Sequence, residues 1–113
     1  MTPSLAEQRC QACTADTPTL SRGRAEELRL QLQGWSLIDI EGRAGLSRTF
    51  KFKGFMPGVD LVNRIAEIAE KEGHHPDLHL SYGHLKVDLT THAAGGLTDN
   101  DFILAAKIDR IQA

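Results

Sequence analysis

Alternation of apolar and polar residues in two pairs of segments constrains this fold more than any other feature of the chain. The first pair is WSLIDI (35–40) and LSRTFKFKGF (46–55), and the turn EGRAG (41–45) separates them. A period of two predicts half-buried strands, and a short glycine-containing turn predicts a hairpin. Arg48 interrupts the apolar face of the second segment, which indicates either a bulge or a different register.

The second pair of alternating segments predicts a second hairpin. Gly83-His84 is the predicted turn. Apolar residues alternate with polar ones on both sides of it, at Leu78, Leu80, Tyr82, Leu85, Val87 and Leu89. Two hairpins favour one antiparallel sheet, because parallel neighbours need long crossover connections.

Three other segments have apolar residues at helical spacing. They cover residues 21–33, 59–72 and the stretch after Thr98. Gly34 and Gly73 are predicted to end the first two helices, and Thr98 to cap the third. The order α-β-β-α-β-β-α predicts an α+β fold, with a four-stranded antiparallel sheet and helices packed on one face.

Length and charge limit the domain organisation and the classes of partner. A chain of 113 residues has room for one ordinary domain, predicted over residues 19–113, and residues 1–18 lack periodicity and predict a flexible arm. A net charge of −2 without a clustered basic face argues against nucleic acid. No apolar run approaches the ~20 residues that cross a bilayer, and the first residues do not read as a secretory signal, so we expect a cytoplasmic protein without membrane contact.

Cys10 and Cys13 form a single C-x-x-C motif in the predicted arm. A zinc ribbon needs a second pair of cysteines, and a redox motif normally opens a helix in a strand-rich context. We therefore expect two thiols of a flexible tail. A zinc site completed by distant histidines is the alternative.

The segment Glu72-Gly73-His74-His75-Pro76-Asp77 is the strongest indication of function. Two histidines follow a helix end and precede a stiffening proline, a position from which side chains can converge on a pocket. His92 follows the last strand, and Asp101 lies in the first turn of the final helix. Imidazole exchanges protons near neutrality, and a carboxylate such as Asp101 would fix one ring's tautomer. Proton transfer is the chemistry that these residues supply best.

These residues resemble the pterin-4a-carbinolamine dehydratases, over a stretch from about Leu20 to the C-terminus. The family pattern has an acidic residue before His-His-Pro, an aromatic residue soon after, a histidine at the end of the next strand and a downstream aspartate. The matching positions are Glu72, His74, His75, Pro76, Tyr82, His92 and Asp101, and Gly34-Trp35 and FKFKGF (50–55) also look like the family. Leu78 departs from it, since some members carry an aromatic residue there.

The resemblance implies an enzyme that needs no cofactor or metal and dehydrates 4a-hydroxytetrahydropterin, in the recycling of the pterin that aromatic amino-acid hydroxylases use. It implies catalytic roles for His74, His75, His92 and Asp101, with His74 and His92 as acid and base. His75 would bind the pterin and Asp101 would orient a histidine. The implied substrate-binding residues are Glu72, Pro76, Asp77 and Tyr82. A homo-oligomer, dimer or tetramer, and a functional link to a hydroxylase are the expected partnerships.

Two alternatives belong to other classes of protein. His74, His75 and His92 could hold zinc and activate water, although adjacent histidines usually point apart. The chain could also be a non-catalytic interaction module, because animal members of the family act as dimerisation partners of a homeodomain transcription factor.

Overall fold

The structure is a computed structural model that describes the backbone of residues 4–112 and the side chains of residues 4–111. A short 3-10 turn, Leu5–Glu7, precedes three helices and four strands. These are α1 (Arg22–Arg29), β1 (Ser36–Ile40), β2 (Arg43–Lys51), α2 (Met56–Glu72), β3 (Asp77–Ser81), β4 (His84–Leu89) and α3 (Asp99–Gln112). The predicted α+β class and the order α-β-β-α-β-β-α are confirmed.

The four strands form one antiparallel sheet in the order β1-β2-β4-β3. The two hairpins join through β2 and β4, where Leu46 pairs with Leu89 and Phe50 pairs with Leu85. Leu61 and Ile65 of α2 are fully buried with these leucines in one core cluster. Residues of α3 and of α1, among them Phe102 and Leu28, belong to the same cluster, so the apolar side of the sheet is the covered one.

Both hairpin turns are shorter than, or displaced from, their predicted positions. Ile40 pairs with Arg43, so the first turn consists of Glu41 and Gly42 alone. Both residues have positive φ, 51° and 84°, as the tight turn of a twisted hairpin requires. The second turn is Tyr82-Gly83 rather than Gly83-His84, because Ser81 pairs with His84.

Arg48 does not mark a bulge. The pairing of β2 with β4 continues through Arg48, which lies opposite Val87. Its guanidinium lies 4.3 Å from the centre of the Phe50 ring, and Nη1 donates to Asp109 Oδ1 at 2.5 Å. A long side chain with a planar cation can cover an aromatic ring and still pair its charge, so the apolar face tolerates it.

The helix ends follow the predictions unevenly. α2 begins at Met56, slightly before the prediction, and Pro57 lies in its first turn, where a missing N–H is harmless. It ends at Gly73, whose φ of 66° closes the helix as predicted. α1 ends at Arg29, four residues before the predicted Gln33, and turns rather than helix lead to Gly34.

The described part of the predicted arm packs on the domain. Leu5 is only 7% exposed, and Lys107 of α3 donates a hydrogen bond of 2.8 Å to the carbonyl oxygen of Ala6. Residues 1–3 of the predicted arm lie outside the described residues. Between residues 4 and 112, none of the helices has the length and apolar character needed to cross a membrane.

Candidate active site

His74, His75 and His92 line the same cavity, of about 250 Å³. The rest of its wall comes from Gln11, Cys13, Gly73, Thr90, Thr91, Ala93 and Asn100. A larger cavity of about 520 Å³ lies elsewhere, between the 3-10 turn and α3 beside Arg48 and Asp109. Because the smaller cavity holds the groups that exchange protons near neutrality, we consider it the candidate active site.

Antiparallel pairing explains why histidines 17 or more residues apart in sequence meet here. His74 and His75 precede β3, and His92 follows β4. Since Asp77 at the start of β3 pairs with Asp88 near the end of β4, the two segments emerge at the same edge of the sheet. The glycine that ends α2 turns the chain toward that edge.

His74 is held by a buried carboxylate. Its Nε2 lies 2.6 Å from Oδ1 of Asp101, which is completely buried, and only 10% of the His74 side chain is exposed. The other carboxylate oxygen accepts from Thr91 Oγ1 at 2.8 Å and from the backbone N–H of Thr98 at 3.0 Å. Asp101 also lies in the first turn of α3, where the helix dipole favours negative charge. With Nε2–H donated to Asp101, Nδ1 is the ring nitrogen left for a guest.

His75 is paired with a different carboxylate, at the surface. Its Nε2 lies 2.5 Å from Oε2 of Glu70, and the two side chains are 58% and 79% exposed. The family pattern places its acidic position at Glu72, and Glu70 is not among the residues predicted from the sequence. The i, i+3 and i, i+4 spacing of a helix does not single out Glu70, because His75 follows it by five residues and lies beyond the glycine that ends α2.

His92 is exposed and lies beside a guanidinium. Arg43 Nη1 is 3.5 Å from His92 Nδ1, which accepts when the ring proton is on Nε2. Arg43 opens β2, and the chain beyond β4 runs next to it, as the hydrogen bond from Thr90 Oγ1 to the carbonyl oxygen of Ala44 shows. Arg43 is not among the residues predicted from the sequence, because only the pairing of β2 with β4 brings it to this edge.

Four predicted substrate-binding residues are absent from the described cavity wall. The Glu72 side chain is 7% exposed but faces the arm, where Oε1 accepts from the backbone N–H of Cys10 at 2.8 Å. Tyr82 is 78% exposed, in the turn at the far end of the β3–β4 hairpin. Pro76 and Asp77 follow the histidines into β3. Substrate contacts by these four residues stay predictions.

The arm, in contrast, supplies two cavity residues that the sequence analysis did not select. Gln11 and Cys13 line the cavity, and Cys13 Sγ lies 3.1 Å from Asn100 Nδ2. Burial and the nearby Glu72 carboxylate raise the pKa of the Cys10 thiol to about 12. Within residues 4–112, no three His, Cys, Asp or Glu side chains are grouped so that they could hold a metal ion.

Comparison with known proteins gives a consistent result. The family model described as pterin 4 alpha carbinolamine dehydratase matches residues 18–111. The chain is 44% identical to "Pterin-4-alpha-carbinolamine dehydratase 2, mitochondrial" of Arabidopsis thaliana, over 96% of this chain but only 59% of the plant protein. It is 43% identical to "Putative pterin-4-alpha-carbinolamine dehydratase 1" of Gloeobacter violaceus, over 97% of this chain and 95% of that protein.

Solved structures resemble the fold. A transcriptional coactivator/pterin dehydratase from Brucella melitensis superimposes with a TM-score of 0.76 and 33% identity, over 84% of this chain and 99% of that chain. A pterin dehydratase-like protein, described as a RuBisCO assembly factor in the alpha-carboxysome, gives a TM-score of 0.58 over 70% of this chain. The latter is only 16% identical, so it supports the fold alone.

Proposed function

This chain belongs to the pterin 4 alpha carbinolamine dehydratase family, and from that premise we propose that it removes water from a 4a-hydroxytetrahydropterin to give the quinonoid dihydropterin. The matched region, residues 18–111, contains His74, His75, His92 and Asp101. The observation that carries the proposal is the cavity that the three histidines share, with one of them bonded to a buried carboxylate.

The reaction needs two proton transfers at neighbouring atoms. The C4a–O bond breaks and the hydroxyl group leaves as water, with a proton from an acid. N5 gives its proton to a base, and its electrons form the C4a–N5 double bond. The pterin gains one proton at the leaving hydroxyl group and loses one from N5. Two groups that exchange protons near neutral pH, one on each side of the pterin, are therefore sufficient. Positioned proton transfer typically accelerates a reaction by ~10²–10⁴.

His74 and His92 divide these transfers in our proposal. Asp101 holds Nε2 of His74, so His74 exchanges its proton with the pterin at Nδ1. Arg43 is beside Nδ1 of His92, so Nε2 is the atom of that ring that acts on the pterin. The carboxylate of Asp101 acts through His74, which makes it a positioning residue rather than one that touches substrate.

His75 binds the pterin at the more exposed rim of the cavity. Its ring is 58% exposed and is oriented by Glu70 rather than by a buried group. It can therefore adjust to a guest at small cost, since exposed pairs of this kind contribute little to stability.

The biological setting is proposed on the resemblance. The reaction would return the pterin, as the quinonoid dihydropterin, to the cycle that regenerates the tetrahydropterin of an aromatic amino-acid hydroxylase, without a cofactor, because the pterin itself is the substrate. A homo-oligomer, a functional link with the hydroxylase and a cytoplasmic location stay predictions.

The deciding experiment follows the carbinolamine directly. A hydroxylase generates the 4a-carbinolamine, and its ultraviolet decay is recorded with and without this protein. We expect faster decay with the wild-type protein and with His84→Ala, whose imidazole lies in the β3–β4 hairpin away from the cavity. The double variant His74→Ala, His92→Ala should not accelerate the decay. Full activity of that variant would leave the interaction-module alternative standing.

A further inference from the structure

One wall of the cavity is built by a segment that precedes the whole sheet. Gln11 and Cys13, which we call the arm wall, line the cavity. They belong to no regular element, since residues 8–14 form neither helix nor strand. Without hydrogen bonds of secondary structure, such a segment needs other groups to hold it in place.

Asn100 supplies those groups. Its Oδ1 accepts from the backbone N–H of Gln11 at 2.9 Å, and its Nδ2 donates to the carbonyl oxygen of Gln11 at 2.6 Å. Both backbone groups of one residue are therefore bound by one amide, as a neighbouring strand would bind them. The same Nδ2 lies 3.1 Å from Cys13 Sγ. Asn100 is 4% exposed and belongs to the first turn of α3, next to Asp101.

A second anchor fixes the chain just before the arm wall. Glu72 accepts from the backbone N–H of Cys10 at 2.8 Å and pairs with Arg9 at 3.4 Å. Asn100 and Glu72 come from different helices, α3 and α2, so the arm wall is tied to both elements that carry the histidine pair and its carboxylate. Glu72, predicted as a substrate contact, thus has a structural alternative as an anchor.

We propose that Gln11 and Cys13 contact the bound pterin and that Asn100 is the residue that positions them; this inference rests on the proposed function. The side chains of Gln11 and Cys13 are suited to contact a bicyclic heterocycle. The Gln11 side-chain amide carries donors and an acceptor of the kind that an aminopyrimidinone edge requires. The Cys13 sulfur is a soft, polarisable atom that packs well on a ring.

Filling the cavity from the arm wall tests the contact. Cys13→Phe should raise the KM for the carbinolamine at least about tenfold, because the added ring occupies space that the pterin needs. Ala12→Phe is the matched control, since Ala12 is the exposed residue between the two wall residues and does not line the cavity. We expect its KM to stay within about twofold of the wild-type value. Equal KM values for the two variants would overturn the inference.

Asn100→Ala tests the positioning role. It removes two hydrogen bonds to Gln11, so we expect KM to rise about 5- to 30-fold, the factor that one or two such bonds represent, while kcat stays within about threefold because the histidines are untouched. A fall in kcat with unchanged KM would instead show that Asn100 acts only through Asp101 and would overturn the positioning role.

Thiol protection separates this inference from the proposed reaction. In the Cys10→Ser variant, saturating biopterin, with occupancy verified by equilibrium dialysis, should slow alkylation of Cys13 by iodoacetamide at least about fivefold, as expected for a thiol covered by a ligand. Bound biopterin without protection would refute the arm wall and leave the dehydratase proposal intact. Protection in a protein that does not accelerate carbinolamine decay would support the arm wall and refute the reaction.

Discussion

His74 and His75 are neighbours in the chain and both pair with a carboxylate, yet one pair is buried and the other is exposed. Each ring donates through Nε2 to a carboxylate, at 2.6 Å and 2.5 Å. The partner of His74 is completely buried and bound by two further donors, whereas the partner of His75 is 79% exposed. Almost equal distances therefore describe two different interactions.

Burial decides what each pair contributes. If one partner of a buried, hydrogen-bonded charged pair is removed, the other is left with neither a partner nor water to bind. This lowers the free energy of unfolding by about 1–3 kcal/mol or more. An exposed pair is screened by water and contributes about 0–1 kcal/mol. We infer that His74 is a rigid proton-transfer group and that His75 is an adjustable binding group. Three predictions test this contrast, and a fourth applies the effect of burial to a cysteine.

Asp101→Asn should have the largest effect. An amide can present its NH₂ group to His74, which would move the ring proton from Nε2 to Nδ1 and block the nitrogen that faces the guest. A tautomer change of this type lowers kcat by as much as ~10⁴, so we expect a fall of about 10²–10⁴ with KM little changed. Steady-state kinetics measure it, and urea unfolding should show a loss of about 1–3 kcal/mol. A kcat within fivefold of wild type would break the contrast.

The two cysteines extend the contrast from the histidines to the arm. With a pKa of about 12 in place of 9.0, Cys10 has about a thousandfold less thiolate at pH 8 than an ordinary thiol. The thiolate is the species that reacts, so iodoacetamide should modify Cys10 about a thousandfold more slowly in the folded Cys13→Ser variant than in the same variant unfolded in urea.

Raising the pH toward 12 should increase the rate at Cys10, because the thiol then loses its proton. Glu72→Gln should also increase it, since the Glu72 carboxylate contributes to the high pKa. If folded and unfolded protein react at rates within tenfold of each other, burial does not control this thiol.

The parts of this molecule that could be predicted are those whose sequence has a periodic pattern of apolar and polar residues. Alternation predicts both hairpins, and the antiparallel pairing of β3 with β4 within the second hairpin brings the segments of His74 and His92 to the same edge of the sheet. The predicted turns differ from the observed ones, because alternation does not show which residues pair across a turn. Tyr82 consequently lies in a turn and not on the apolar face.

The missed residues depend on packing that no local pattern records. Glu70 and Glu72 are both acidic residues in the last turn of α2, and only the direction of the chain after Gly73 decides which one meets His75. Gln11 and Cys13 lie in a stretch without periodicity, and Asn100, about 90 residues later in sequence, binds the backbone of Gln11. A stretch without periodicity predicts a flexible arm and does not show which distant residues, here Glu72 and Asn100, bind its backbone.

His75→Ala should have an intermediate effect that separates binding from proton transfer. Loss of one ring contact and of one hydrogen-bonding nitrogen at the rim should raise KM about tenfold, the factor that about 1.4 kcal/mol represents, and should lower kcat by less than that. His74→Ala is the matched comparison and should lower kcat by about 10²–10⁴. If the two alanine variants lose kcat equally, the division between a rigid and an adjustable histidine is wrong.

Glu70→Gln should have the smallest effect, and it is the closest counterpart of Asp101→Asn. Both substitutions replace a carboxylate bonded to a histidine Nε2 by an amide, so they differ mainly in burial. Because water can satisfy His75 when the carboxylate is gone, we expect the free energy of unfolding to change by less than about 1 kcal/mol. KM should rise by less than about fivefold, since His75 keeps its place at the rim and loses only its orientation.

A salt titration sharpens the test, because screening should weaken the exposed Glu70 pair and leave the buried Asp101 pair nearly unchanged. Equal losses of kcat in the two variants, at low and high salt, would mean that contact distance and not burial sets the value of a carboxylate–histidine pair in this site.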